Sequence, residues 1–106
     1  MNKDGRQTSL EIKNDLRSEQ TGNVFIEIYN RNNERRNGNG WYCYCEADYI
    51  AFVQENRKQA HIVSFRELAN MIDKCKPHVC RSTFSAGYII AITELEHFSS
   101  YFCLEI

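Results

Sequence analysis

The sequence predicts an α/β fold of the α+β kind, a mixed central sheet flanked by short helices. Three observations carry that expectation. Residues 10–15 alternate apolar and polar side chains with the period of a half-buried strand. Residues 24–29 are dense in β-branched and aromatic side chains, the composition of a strand. Ser64 and Glu67 form a capping box ahead of an apolar stripe at helical spacing.

In the first strand Leu10 and Ile12 fall on one side and Glu11, Lys13 and Asp15 on the other. Residues 16–23 are polar and end in Thr21, Gly22 and Asn23, a turn signal. The strand before that turn and the strand after it are therefore expected to pair as a hairpin. Residues 30–40, rich in Asn, Arg and Gly, have the composition of a mobile loop. Residues 41–45 read as a third strand with Cys43 and Cys45 on one face, and residues 45–49 as a short helical turn. Residues 49–54 return to strand, 54–59 form a charged turn, and 60–63 make another strand. Phe65, Leu68, Ala69 and Ile72 form the buried stripe of the capped helix, and Pro77 closes it. Residues 87–92 are an apolar strand. Thr93 and Glu96 make a second capping box, for a last helix docked by Leu95, Phe98 and Phe102.

A chain of 106 residues has room for one domain, spanning 1–106, and its 42% hydrophobic content supports a core without staples. No run approaches the roughly 20 apolar residues of a membrane helix. Residues 1–9 are polar and charged, unlike a secretory signal, and are expected to be a flexible N-terminus. The cysteine count is 5, an odd number, which predicts reduced thiols in the cytoplasm. Cys75 and Cys80 flank Lys76, Pro77 and His78, but the close cysteine pair of a zinc site is missing, so buried, inert thiols are expected. A net charge of −1, from 13 basic and 14 acidic residues, argues against a large electrostatic footprint on nucleic acid. It leaves room for an enzyme whose basic groups are clustered. His61, His78 and His97 follow no metal-ligand spacing. No nucleophile elbow and no Gly-rich phosphate loop is present, which removes hydrolase triads and nucleotide-binding folds.

The chemical centre expected from the residues is an acidic pair, Asp15 and Glu27. Glu27 is a carboxylate inside an apolar run, on a face shared with Phe25 and Tyr29, and a lone charge there is costly unless paired or bound to metal. Two converging carboxylates would suit Mg²⁺, which keeps its other positions for water and substrate phosphate. The competing reading is structural: Glu27 pairs with Lys13 across the hairpin, or lies on a solvated sheet face.

Ile12-Lys13-Asn14-Asp15, the run from Thr21 through Gly22 and Asn23 to Glu27, and Ala47-Asp48-Tyr49 resemble small phage-encoded proteins of the PD-(D/E)XK nuclease superfamily. Gly87-Tyr88-Ile89-Ile90 followed by Thr93-Glu94-Leu95 resembles the same group, where a strand leads into a short closing helix. The resemblance implies a restriction-endonuclease-like sheet. It also implies that Asp15, ending one strand, and Glu27, on the next, bind the divalent metal, Mg²⁺ or Mn²⁺. The family's lysine, two residues after the Glu, falls on Tyr29, and Lys13 is expected to deliver the ammonium instead. The carboxylate of the family's first helix has no clear donor here, and Glu11 or Glu19 is expected to replace it.

Arg31, Arg35 and Arg36 follow the Glu27 strand and are expected to grip phosphates; the alternative is a solvated loop. Trp41, Tyr42 and Tyr44 divide between base stacking and core packing. The expected function is a Mg²⁺-dependent endonuclease acting on DNA, branched or recombination DNA included. A catalytically inactive nuclease-fold protein of phage origin, which inhibits or recruits a host protein, is the alternative, favoured by Tyr29, the near-neutral charge and the missing first helix. A generic structural or oligomeric α/β module is the third reading. A homodimer through residues 41–44 is expected.

Overall fold

The computed structural model describes residues 2–3 and 6–106. The N-terminal expectation for 1–9 falls partly on residues 1, 4 and 5, outside the described residues. Two short strands, β1 (Asn2–Lys3) and β2 (Arg6–Gln7), pair antiparallel. Then come β3 (Leu10–Asn14), α1 (Ser18–Thr21), β4 (Asn23–Asn30) and a 3-10 turn (Glu34–Arg36). α2 (Trp41–Tyr44), β5 (Tyr49–Gln54), β6 (Gln59–Ser64) and α3 (Phe65–Cys75) follow. The chain continues through β7 (Val79–Arg81), β8 (Ser85–Ala91), α4 (Ile92–Leu95) and β9 (Phe102–Glu105).

The α+β class is as expected, but the strands divide between two main sheets. One runs β3-β5-β6-β9 and the other β4-β8-β7. The expected hairpin does not form. β3 runs parallel to β5, whereas β4 pairs antiparallel with β8 in the other sheet. Gly22, at φ +73°, caps the C-terminus of α1 with its N–H on the Ser18 carbonyl. The glycine read as a hairpin turn is a helix stop, a left-handed position that Gly adopts at little cost.

The core fills the space between the sheets. Val24, Ile26 and Ile90 from one sheet meet Ile50, Phe52 and Val63 from the other, with Leu68 and Ile72 of α3, Leu95 of α4 and Trp41 joining them. The alternation of β3 holds, but its faces are swapped. Lys13 is in register with the fully buried Phe52, while Ile12 is in register with Ala51 on the outer face. Leu10 and Ile12 are consequently 50% and 58% exposed.

Residues 41–44 are helical, not a strand, and residues 45–48 are irregular. Just before the helical residues the chain passes close against β4 at Gly40, where a Cβ would stand 2.5 Å from the Glu27 carbonyl carbon. Trp41 is buried, and Tyr42 packs on Phe65 and Tyr88 with ring centroids 5.5 and 6.1 Å away. Within this turn Trp41 and Tyr42 pack into the core, while Cys43 and Tyr44 remain exposed. Ser64 caps α3 by accepting from the Glu67 N–H, but the Glu67 carboxylate turns to the main-chain and hydroxyl groups of Ser99 and Ser100. The second capping box is absent: α4 follows Ala91, with no side-chain cap. Phe102 lies on β9, 45% exposed, and docks no helix. The thiols expected to be buried are not: Cys43, Cys75, Cys80 and Cys103 are exposed, and Cys45 is half-buried. Among the described residues no helix is long and apolar enough to cross a membrane.

Candidate functional site

β3 is an edge of one sheet and β4 an edge of the other. In the seam between them lies a cavity of about 540 Å³. Its lining includes Lys13, Asp15 and Glu27, three residues singled out by sequence, and adds Arg17, Arg81, Trp41 and Phe25. Three cations and two carboxylates therefore share one concave site, an arrangement suited to an anionic ligand.

Asp15 follows β3 where the chain turns into α1. Its Oδ1 accepts the Ser18 N–H at 3.1 Å, and its Oδ2 accepts the Phe25 N–H at 3.2 Å. One side chain thus ties the end of one sheet to the start of the other and satisfies two main-chain donors. Each oxygen retains a lone pair for a further partner. Glu27 sits in β4 opposite Gly87, just before a bulge at Ile28. Its Oε2 accepts from the Asn30 side-chain amide at 3.2 Å. Beyond the bulge the face changes. Tyr29, expected beside Glu27, bridges to Asn39 and is 41% exposed outside the cavity.

Lys13 does not pair with Glu27. Its Nζ lies 3.8 Å from Glu11 and 5.0 Å from the centroid of the Trp41 ring, so a carboxylate and an aromatic face both hold the ammonium. Glu11 lines an adjoining groove with Arg36, Trp41 and Tyr44 rather than the cavity. Glu19 accepts the Asn56 N–H at 3.3 Å and also lies outside the cavity lining. Among the described residues no three acidic, histidine or cysteine side chains gather as a metal-ligating group.

Arg31, Arg35 and Arg36 do not line the cavity. Arg31 lies over Phe84 and Arg36 over Tyr44, at 5.6 and 4.3 Å from the ring centroids. Their loop closes on itself through Asn30 N–H to Gly38 and Asn33 side-chain amide to Asn39. Arg17 and Arg81 take the place expected for them. Arg17 stands two residues after Asp15, a proximity visible in the sequence. Arg81 lies on β7, a strand with no clear periodic signal.

Behind Asp15 runs a buried polar chain whose proton directions follow from one hydroxyl. Ser18 Oγ donates to the Asp15 carbonyl at 2.6 Å, spending its only proton. Gln54 Nε2 must then donate to Ser18 Oγ, at 3.1 Å, which turns Gln54 Oε1 towards His61 Nε2 at 2.9 Å. His61 Nε2 therefore carries the hydrogen, and Nδ1 accepts from the Tyr101 hydroxyl at 2.9 Å. Desolvation lowers the His61 pKa, with Arg57 adding to the effect and Glu96 opposing it, in keeping with a neutral ring. Burial foremost, then the nearby Cys103 and Glu96, push Tyr101 up to about 12, so it remains a donor.

No family model matches this chain, and neither a curated protein nor a solved structure matches it.

Proposed function

We propose that the seam cavity binds a nucleic-acid phosphodiester, and that Asp15 and Glu27 hold Mg²⁺ or Mn²⁺ there for hydrolysis of DNA. The observation that carries this reading is the meeting of Lys13, Asp15 and Glu27 in one cavity with Arg17 and Arg81. The donor set fits the metal. Both ligands are hard carboxylate oxygens, and Mg²⁺ takes one or two carboxylates and completes its shell with water and phosphate. Bound there, the ion would supply charge neutralisation and an activated water.

The chain's own residues supply the rest. The Arg17 and Arg81 guanidinium forks match non-bridging phosphate oxygens. Lys13, steadied by Glu11 and Trp41, presents an ammonium at the same wall. Trp41 and Phe25 give the cavity an aromatic wall, which would limit water on that side of a bound phosphate.

Calorimetric titration of Mg²⁺ and Mn²⁺ into wild type and the Asp15→Asn/Glu27→Gln variant tests the reading, with linear and branched DNA as substrates. Metal binding and metal-dependent cleavage are expected in wild type, and both should be lost in the variant. A second reading, a nuclease-like scaffold that binds DNA or a host protein without cutting, is favoured by the engagement of both Asp15 oxygens with main-chain amides. DNA retained through Arg17 and Arg81 without metal-dependent cleavage selects that reading. If DNA is neither bound nor cut, the phosphodiester proposal fails.

A further inference from the structure

Along one face of β4 stand Asn23, Phe25 and Glu27, alternate residues that all line the seam cavity. Val24 and Ile26 between them are wholly buried in the core. Phe25 is the odd member of the row, a large apolar ring between an amide and a carboxylate, half-buried and outside the core cluster. In register it stands opposite Ile89, but its ring leans along the sheet to Gly87. A Cβ at Gly87 would lie 2.6 Å from the ring's Cε1 and Cζ, so only glycine there lets the ring lie down on the sheet. Phe25 and Ile89 thereby give the cavity an apolar surface beside its cations. The Asn23 N–H donates to the Thr21 hydroxyl, while its side-chain amide makes no hydrogen bond among the described residues. That amide offers one donor side and one acceptor, the pair that a base edge engages.

We propose that the nucleotide held in the cavity is unpaired, with its base stacked on Phe25 and its edge at Asn23. The inference rests on the phosphodiester reading of the cavity and names its substrate class, single-stranded or locally opened DNA. Three physical arguments select an unpaired nucleotide. First, a base inside a duplex has both faces covered by its neighbours, so a ring in a cavity stacks only on a base that has left the helix. Second, about 540 Å³ falls within the roughly 300–1,000 Å³ of sites that enclose one small molecule. A duplex, its major groove alone about 12 Å wide, would lie across the mouth of such a cavity and leave the ring unused. Third, the cations of the lining are Lys13, Arg17 and Arg81, enough for the phosphates that flank one nucleotide. A net charge of −1 offers little for the longer backbone of a duplex.

Fluorescence anisotropy of a short labelled strand, alone and annealed into a blunt duplex, tests this with Ca²⁺ present to occupy the carboxylates. Wild type is expected to bind the single strand at least about tenfold more tightly than the duplex. Phe25→Leu, which keeps an apolar residue on the strand, should bring that ratio close to one. Phe25→Tyr should keep it, with circular dichroism unchanged in both variants. Single-strand affinity should fall with salt at a logarithmic slope no steeper than about −2, the value for three phosphate contacts.

A second measurement needs no variant. Cys80 is exposed and lines the cavity, whereas Cys75 and Cys103 are exposed outside it. The single strand should protect Cys80 from iodoacetamide and leave the other two reactive, as read by peptide mass spectrometry. Equal affinity for strand and duplex, or a ratio that survives Phe25→Leu, overturns this inference alone. A bound strand that leaves Cys80 fully reactive puts the DNA outside the cavity and overturns the phosphodiester reading with it, as does binding of neither DNA.

Discussion

The seam between the sheets and the outer face of the four-stranded sheet are built by the same strand, β3, with opposite chemistry. On the seam side Glu11, Lys13 and Asp15 are half-buried, and each has a named partner. On the outer side Leu10 and Ile12 are half exposed to solvent. An isolated strand would bury the second set and solvate the first. Strands that break this rule tend to serve a function on the polar side or a partner on the apolar side. The seam is also specified by side-chain hydrogen bonds and close contacts, whereas the outer face carries an apolar cluster of Ala51, Ala60 and Ile62 with Tyr49 and Val53.

The largest effect is expected from Gly40→Ala. The new Cβ would meet the Glu27 carbonyl carbon and oxygen at 2.5 Å and its Cγ at 2.6 Å, all but the last being backbone that cannot swing aside. Urea unfolding should show a loss of about 3 kcal/mol, and a near-neutral result would mean that the seam is loose.

Gln54→Leu should cost about 2 kcal/mol, because it leaves the buried His61 N–H and Ser18 Oγ short of a partner while preserving side-chain volume. An equal loss from Ile12→Thr on the outer face would erase the contrast between the two regions.

The smallest effect is a pH dependence. His61 has a lower pKa folded than unfolded, so the unfolded chain takes up the proton first. Its contribution is fully present above about pH 6.5 and is lost as pH falls from there through the folded value. Urea midpoints taken between pH 8 and pH 5.5 should decline for wild type and decline less for His61→Gln. Parallel profiles would show that the buried chain does not titrate.

Much of the secondary structure was legible in the sequence. The run at 24–29, the strands around residues 50 and 62, the strand at 87–92 and the Ser64 cap all stand where local pattern put them. β7 and β9 were missed, because strands of three and four residues give too few alternations to separate from turn or helix end. Of the expected site, Lys13, Asp15 and Glu27 share a cavity, whereas Glu11, Arg31 and Arg36 make ion-pair or aromatic contacts outside it and Arg35 does not line it. Arg81 could not have been foreseen. Nothing local marks a side chain whose role depends on a strand some 50 residues away in sequence.

The sequence by itself determined the class, the principal strands, the capped helix and the residues where charge sits inside apolar runs. Those depend on side-chain period and on capping chemistry within a few residues. The tertiary structure alone decided that β3 and β4 part into separate sheets and that the polar side of β3 faces inward. Period reports which side chains share a face, but not which face is buried. That choice belongs to the partner strand, and β5 presents Phe52 on the side of Lys13 and Ala51 on the side of Ile12.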